Sequence, residues 1–270
     1  MLARAFSVVS YVYFFAYFCA YWAFLLPPSV LQAHLPAALS AAVPYNMEGS
    51  ESSAGGLLTD LALLAAFALP HSILARTSTK AAHGIPAAWE RPFYVFQSTA
   101  LLHAQMAFWQ SFEGPALWDV SAHAGASDAI HALFAFGFLF LLSSTFALDH
   151  FELVGLSQAF GVDLNAKLGL AAATGKEGGV VARAHYSIVA HPIMTGMMIG
   201  CWATPVMSAP RLLFAVANTT YMLVAVKCFE EPQLDATIGP AYGEYLATVP
   251  SFCPMFPKAR AAKAAARKGD

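Results

Sequence analysis

Of 270 residues, 58 % are hydrophobic and only 11 % are charged, and the mean hydropathy is +0.57. Soluble domains carry about 25 % charge, so the composition excludes an ordinary soluble enzyme and specifies an integral membrane protein. The formal net charge of −2, with no basic run before the C-terminal tail, gives no nucleic-acid signature.

A membrane-crossing helix needs roughly 20 mainly apolar residues. Ala5–Leu26 supplies such a run without a charge before Pro27-Pro28 stops it, and it is too long for the apolar core of a signal peptide. Leu57–Ala75 is a second, with Asp60 near one end and Pro70-His71-Ser72 near the other. Phe93–Ser111 and Ala129–Leu148 follow, and Tyr186–Ala203 and Leu212–Cys228 form a closing hairpin across Thr204–Arg211. The expected fold is therefore all-α and polytopic, with about six transmembrane helices, or five if the last hairpin is irregular or re-entrant.

Basic residues test that count, because they collect on the cytoplasmic side. With six spans and a cytoplasmic N-terminus, thirteen of the fourteen lysines and arginines fall inside and only Arg211 falls outside. The outer loops 27–56 and 112–128 hold Glu48, Glu51, Glu113, Asp119 and Asp128 but no base. A five-span count would put the basic tail outside. Both termini are thus expected in the cytoplasm, with one transmembrane domain over 1–257 and a basic tail over 258–270 drawn to anionic headgroups. The connector Asp149–His185 is expected at the interface. Cys19, Cys201, Cys228 and Cys253 lie far apart with no zinc spacing, and no Gly-rich phosphate loop follows a strand, so no metal site and no soluble nucleotide fold are expected.

The same topology gathers the polar chemistry on the inner face: His71 and Ser72, Asp149 and His150, His185, Tyr186 and His191, then Glu230 and Glu231, with Tyr242 and Tyr245 beyond. Clustered polar residues at a membrane core are costly and tend to be functional. Each has a plainer role. His191 could be an interfacial residue before a first-turn Pro192. Glu230 and Glu231 point about 100° apart on a helix, so one would face a pocket and the other water or Lys227. Asp149-His150 could be a helix-end pair, and His71 could fill a kink behind Pro70. His103 and His131 lie inside spans, where a histidine is either hydrogen-bonded to a neighbouring helix or a haem ligand. His34, His83 and His123 are loop residues, and Asp60 is tolerated near the outer interface.

The pattern Ala190-His191-Pro192 with Gly196, then Glu230-Glu231, then Gly239, Tyr242, Tyr245 and Val249-Pro250 resembles the membrane methyltransferases grouped with isoprenylcysteine carboxyl methyltransferase and phospholipid N-methyltransferase. Pro70-His71-Ser72, the run LLSSTFALDHFELVGLSQ (141–158) and the hairpin WATPVMSAPRLLFAVANTTYMLV are similar to the thiol-methylating branch, the methanethiol S-methyltransferases. The similarity covers roughly Leu61 to Pro257, with the catalytic part at 181–254. Two positions depart from the pattern: Ala190 replaces the arginine usual before His-Pro, so either Arg183 or Lys227 substitutes for that charge or the cofactor is held less tightly, and Met194 stands where the carboxyl-methylating branch often has tyrosine.

The resemblance implies S-adenosylmethionine as cofactor, bound by His191, Pro192, Gly196, Glu230, Glu231, Tyr242 and Tyr245, and a small thiol as acceptor, methanethiol giving dimethyl sulfide. A small thiol is mostly protonated at neutral pH, so a base is useful, and His71, His150 and Tyr186 are the candidates. Two other functions stay open. One is the same fold acting on a prenylcysteine carboxylate or a lipid amine. The other is a non-enzymatic haem or quinone subunit, because a denitrification-linked membrane family resembles parts of the early motifs.

Overall fold

The computed structural model describes residues 1–27, 30, 47, 55–170, 180 and 182–254; the basic tail 258–270 lies outside them. Every regular element among the described residues is helical, apart from one isolated bridge between Asp119 and Val206. The chain divides into two compact units: Met1–Ile130 with Phe151–Leu164 and Thr204–Asn218, and His131–His150 with Asn165–Ala203 and Thr219–Asp270.

In the first unit, α1 (Leu2–Leu25) and α2 (Gly56–Ala75) pack against α4 (Ala87–Phe108), with the seven-residue α3 (Thr77–His83) between α2 and α4. Short α6 (His150–Leu153) and α7 (Leu156–Phe160) follow the fifth helix, and α7 touches both α1 and α4. Gly155 makes that approach possible. Its φ is +86°, and a Cβ there would lie 2.6 Å from Pro92 N, so only glycine satisfies both the backbone and the space. Ser10 Oγ donates to the Pro92 carbonyl at 2.9 Å. Asp60 is fully buried, and its Oδ1 accepts the Gln110 N–H at 2.9 Å. It thus caps the chain leaving α4 rather than being merely tolerated at an interface.

One end of this unit is tied together by the connectors. Leu117 N–H donates to Met207 O (2.8 Å), Val120 N–H to Pro205 O (2.9 Å) and Trp118 Nε1–H to Thr204 O (2.9 Å). Arg211, the one base that the six-span count would put outside, is buried and donates from Nη1 to Leu25 O. A buried cation satisfied by the last carbonyls of a helix is favourable.

In the second unit, α5 (Ala124–Leu148), which contributes its residues from His131 onward, crosses α9 (Pro192–Trp202) through glycines. A Cβ on Gly196 would sit 2.5 Å from Gly137 O and 2.7 Å from Leu141 N, and one on Gly200 would sit 2.5 Å from the Phe138 ring. Small residues at such a crossing let two backbones touch. After α8 (Leu164–Lys167), a 3₁₀ turn at Ala184–Ser187 leads to α9. Helix α10 (Ala209–Ala225) runs into a π turn at Val226–Glu230, then α11 (Glu231–Ile238) and α12 (Pro240–Thr248). Ala190, Tyr242, Tyr245 and Leu246 form a buried cluster against Val180, Leu234, Ile238 and Val249.

Among the described residues, four helical runs are long and apolar enough to cross a membrane: Leu2–Leu25, Gly56–Ala75, Ala124–Leu148 and Ala209–Ile238. They match the first, second, fourth and sixth expected spans. Helix α4 has 22 residues, but Gln97, Ser98, Thr99, His103 and Gln105 keep it too polar. The fifth expected span, Tyr186–Ala203, is not one continuous helix; only the 11 residues of α9 are α-helical. At about 1.5 Å per residue that is roughly 16 Å against a core of about 30 Å. The break falls at His191-Pro192 because proline drives the residue before it out of the helical region, and His191 sits at φ −126°, ψ 66°.

Candidate active site

The residues singled out in the C-terminal third meet around the His191 imidazole. Pro192 occupies the first helical position of α9, where its missing N–H costs nothing, and His191 stands just before it, 5 % exposed. The chain after α12 comes back alongside: Ala190 N–H donates to Pro250 O (2.8 Å), His191 N–H to Ser251 O (3.0 Å) and Thr195 Oγ1–H to Phe252 O (2.9 Å). From the other side comes the π turn. Such turns insert into α-helices, frequently at functional sites, and this one sets both glutamates against the same ring. His191 Nε2 is 3.3 Å from Glu231 Oε1 and Nδ1 is 3.5 Å from Glu230 Oε1. On a regular helix only one of two successive carboxylates was expected to face the site; here both do.

The two glutamates are unequally engaged. Glu231 Oε1 also accepts Lys227 Nζ–H and, at 2.9 Å, Ser251 Oγ–H, while Lys227 Nζ also reaches Ser251 Oγ at 2.7 Å. Its side chain is 14 % exposed. The Glu230 side chain is 45 % exposed and has only the longer contact to His191. Burial pulls the His191 pKa down, but the hydrogen bonds and charges of Glu230 and Glu231 overcome it and leave it above the ordinary value. A carboxylate beside each ring nitrogen favours the form in which both carry hydrogen, the imidazolium.

The tyrosines complete the surroundings. Tyr245 Oη donates to the Tyr186 carbonyl at 2.6 Å. Tyr242 Oη is buried with no hydrogen-bond partner, and burial followed by the charges of Glu231 and Glu230 raises its pKa. Burial and the charge of Glu230 raise that of Tyr186 likewise, and burial takes Tyr245 up to about 12. All three phenols stay protonated at neutral pH, and Tyr245 is the one seen donating.

Gly196 is in the same unit, but its hydrogen face lies on α5 at Gly137 and Leu141, where it permits helix contact. His150, also in this unit, is buried, stacks on Phe146 at 4.1 Å, and meets Thr145 Oγ1 at 2.8 Å through Nδ1. Burial lowers its pKa to about 4, so it is neutral at pH 7. His71 lies in the first unit, with Nδ1 2.9 Å from Ser98 Oγ, Nε2 2.9 Å from Tyr94 Oη, and Phe67 stacked on its ring. Arg91 lies over Tyr94 and donates to Leu153 O at 2.7 Å. His103 has a tyrosine hydroxyl on each ring nitrogen, Tyr13 on Nδ1 and Tyr17 on Nε2, both at 3.0 Å. Both of its ring nitrogens are thereby engaged by hydroxyls.

The methanethiol S-methyltransferase of Mycobacterium tuberculosis is 40 % identical to this chain over 202 residues, 73 % of this chain and 78 % of the relative. That of Crocosphaera subtropica is 33 % identical over 95 % of this chain and 97 % of its own length. The chain belongs to the methanethiol S-methyltransferase family. It is thus a methyltransferase-type membrane enzyme, and the resemblance read from His191-Pro192 and Glu230-Glu231 is to the right family. Nurim of Xenopus laevis is 28 % identical over 60 % of the chain and 57 % of its own length. No family model and no solved structure matches.

Within this methanethiol S-methyltransferase-family chain, Ser251, Phe252 and Thr195 are the members of the cluster that the motif pattern does not single out. The only signal for them is Pro250, which turns the chain back beside α9.

Proposed function

We propose that this protein moves a methyl group from S-adenosylmethionine to a small thiol, methanethiol becoming dimethyl sulfide, at the cytoplasmic face of the membrane. The observation that carries the cofactor assignment is the unequal engagement of the acidic pair beside an orphaned hydroxyl. Glu231 Oε1 already takes three donors, whereas Glu230 is half-exposed and the buried Tyr242 hydroxyl is unpartnered. A buried unpaired polar group costs about 1–3 kcal/mol, which a ligand hydroxyl or amine would recover. Two acceptor-rich carboxylates and one phenol suit the ribose and amino groups of an adenosyl ligand, and carboxylates favour a sulfonium nearby.

When bound, S-adenosylmethionine supplies a methyl group on a positively charged sulfur. Glu230 and Tyr242 would hold it, with Glu231, Lys227 and Ser251 fixing His191 and the turn that carries Glu230. Pro192 starts α9 in the required direction, Gly196 seats that helix, and Tyr245 pins the Tyr186 carbonyl. Orientation is the chief contribution such a site makes to an in-line transfer, and exclusion of water favours a step in which opposite charges disappear. Among the bases expected from the sequence, His150 is neutral at pH 7 but its Nδ1 already meets Thr145 Oγ1, His71 has a hydroxyl on each ring nitrogen, and Tyr186, held protonated, serves better as a donor.

The topology proposed is the six-segment one with both termini cytoplasmic and 1–257 as one functional domain. Its support is the gathering of Leu25, the 117–120 connector and the 204–211 turn at one end of the first unit. Titrating purified protein with S-adenosylmethionine tests the assignment. Wild type should bind, and Glu230→Gln and Tyr242→Phe should each lose affinity. Equal binding by all three would reject this site.

A further inference from the structure

The hydroxyl triplet Ser143-Ser144-Thr145 near the end of α5 turns back onto its own helix. Ser143 Oγ–H donates to Leu139 O at 2.6 Å, Ser144 to Phe140 O, and Thr145 Oγ1–H to Leu142 O at 2.6 Å. A hydroxyl has one proton and two lone pairs. Once Leu139 holds the Ser143 proton, Ser143 Oγ meets His185 Nε2 at 3.0 Å only as an acceptor. Nε2 therefore carries the imidazole hydrogen, and the lone pair is on Nδ1. That Nδ1 is buried and has no hydrogen-bond partner.

Three further features aim this ring. The edge of Phe140 lies against it, with centroids 4.8 Å apart. Ala184, directly before it, has φ +49° and is the one non-glycine residue at positive φ among the described residues, a conformation L-residues adopt only at a cost. The carbonyl of Tyr186, directly after it, is held by Tyr245 Oη, on the helix that also carries Tyr242. Burial lowers the His185 pKa, so its resting form at neutral pH is the one that accepts a proton.

We propose that His185 is the proton acceptor of the methylation reaction, taking the thiol proton at Nδ1 while Ser143 fixes the ring from Nε2. This rests on the thiol-methylating reading above. The S–H bond breaks heterolytically, its proton goes to Nδ1, and its electron pair stays on sulfur as the attacking thiolate. The imidazolium so formed has Ser143 Oγ on one nitrogen and returns its proton to water after the sulfide leaves. A thiol with a pKa of about 8.5 is only a few per cent ionised at neutral pH, so the acceptor has a task.

His185→Gln tests this, because glutamine carries an amide N–H at the reach of Nε2 and nothing at Nδ1. In full-length protein the variant should bind S-adenosylhomocysteine as wild type does and lose about 10²–10⁴-fold in kcat with methanethiol. With a thiol about two pKa units more acidic, the deficit should shrink by about tenfold or more. A deficit equal for both thiols, or no deficit, overturns the proposal. Should His185→Gln fail to bind the product nucleoside, Ser143→Ala gives the same reading. A loss of about fivefold with methanethiol, smaller with the acidic thiol and restored by Ser143→Thr, supports it; a loss indifferent to thiol acidity overturns it. Wild-type protein that methylates neither thiol removes the thiol-methylating reading itself, whereas active wild type beside an unaffected His185→Gln removes only the base.

Discussion

Glu231→Gln isolates what holds the acidic pair in place. The substitution keeps the shape and an acceptor oxygen but removes the charge. Glu231 Oε1 takes three donors: His191 Nε2 at 3.3 Å, Ser251 Oγ at 2.9 Å and Lys227 Nζ. Hydrogen bonds to charged groups contribute about 1.5–3 kcal/mol and neutral ones about 1 kcal/mol, so each bond loses part of its strength rather than all. The Lys227 share is small, because its side chain is 42 % exposed and solvent screens it. The His191 share dominates, since that ring is 5 % exposed. The sum is about 2 kcal/mol, or roughly 4–8 °C in thermal midpoint for a chain of this size. The pH dependence gives a second readout. His191 has its pKa raised in the folded protein, so its stabilising contribution is complete below the ordinary value of 6.5 and is lost as pH rises through the raised value. The gap between wild type and Glu231→Gln, followed by thermal unfolding in detergent, should therefore be larger near pH 6 than near pH 9. Equal midpoints at both pH values would refute the claim that Glu231 anchors an imidazolium.

Glu230→Gln should cost little stability, under about 0.5 kcal/mol for so exposed a group, yet weaken S-adenosylmethionine binding; calorimetry beside unfolding separates the two effects. Gly196→Ala places a methyl 2.5 Å from the Gly137 carbonyl, and because backbone cannot yield easily, the loss should be about 1–3 kcal/mol, read as a lower unfolding midpoint. His150 has its pKa depressed from 6.5 to about 4, so its contribution is present above 6.5 and is lost as pH falls toward 4. His150→Asn, which keeps a donor for Thr145 but does not titrate, should flatten the fall of the midpoint over that window.

Much of this was legible in the sequence because the signals are local. The apolar runs Ala5–Leu26, Leu57–Ala75, Phe93–Ser111 and Ala129–Leu148 overlap the helices Leu2–Leu25, Gly56–Ala75, Ala87–Phe108 and Ala124–Leu148. His191-Pro192 and Glu230-Glu231 mark a cluster because one pair opens an apolar run and the other closes the next. The parts that were not legible depend on contacts distant in sequence or on backbone irregularity. Nothing local to Ser251 or Phe252 says that they lie beside His191. The π turn at Val226–Glu230 has no composition signature, and it is what turns both glutamates onto one ring. The split of the fifth apolar run was readable in principle from Pro192, but hydropathy alone runs through it. Gly196 looked like part of a cofactor motif, whereas its visible contacts are with α5. His185 was placed on the inner face but not among the candidate bases, because its importance lies in which nitrogen carries hydrogen, and Ser143 decides that from a different helix.

The most direct test is to incubate the purified protein with methyl-labelled S-adenosylmethionine and methanethiol and to measure labelled dimethyl sulfide in the headspace. The proposal predicts label in the sulfide from wild type and a loss of at least about 100-fold in His191→Ala and Glu230→Gln, with both variants still inserted in the membrane. Wild type that releases no labelled sulfide, or both variants working at the wild-type rate, would contradict it.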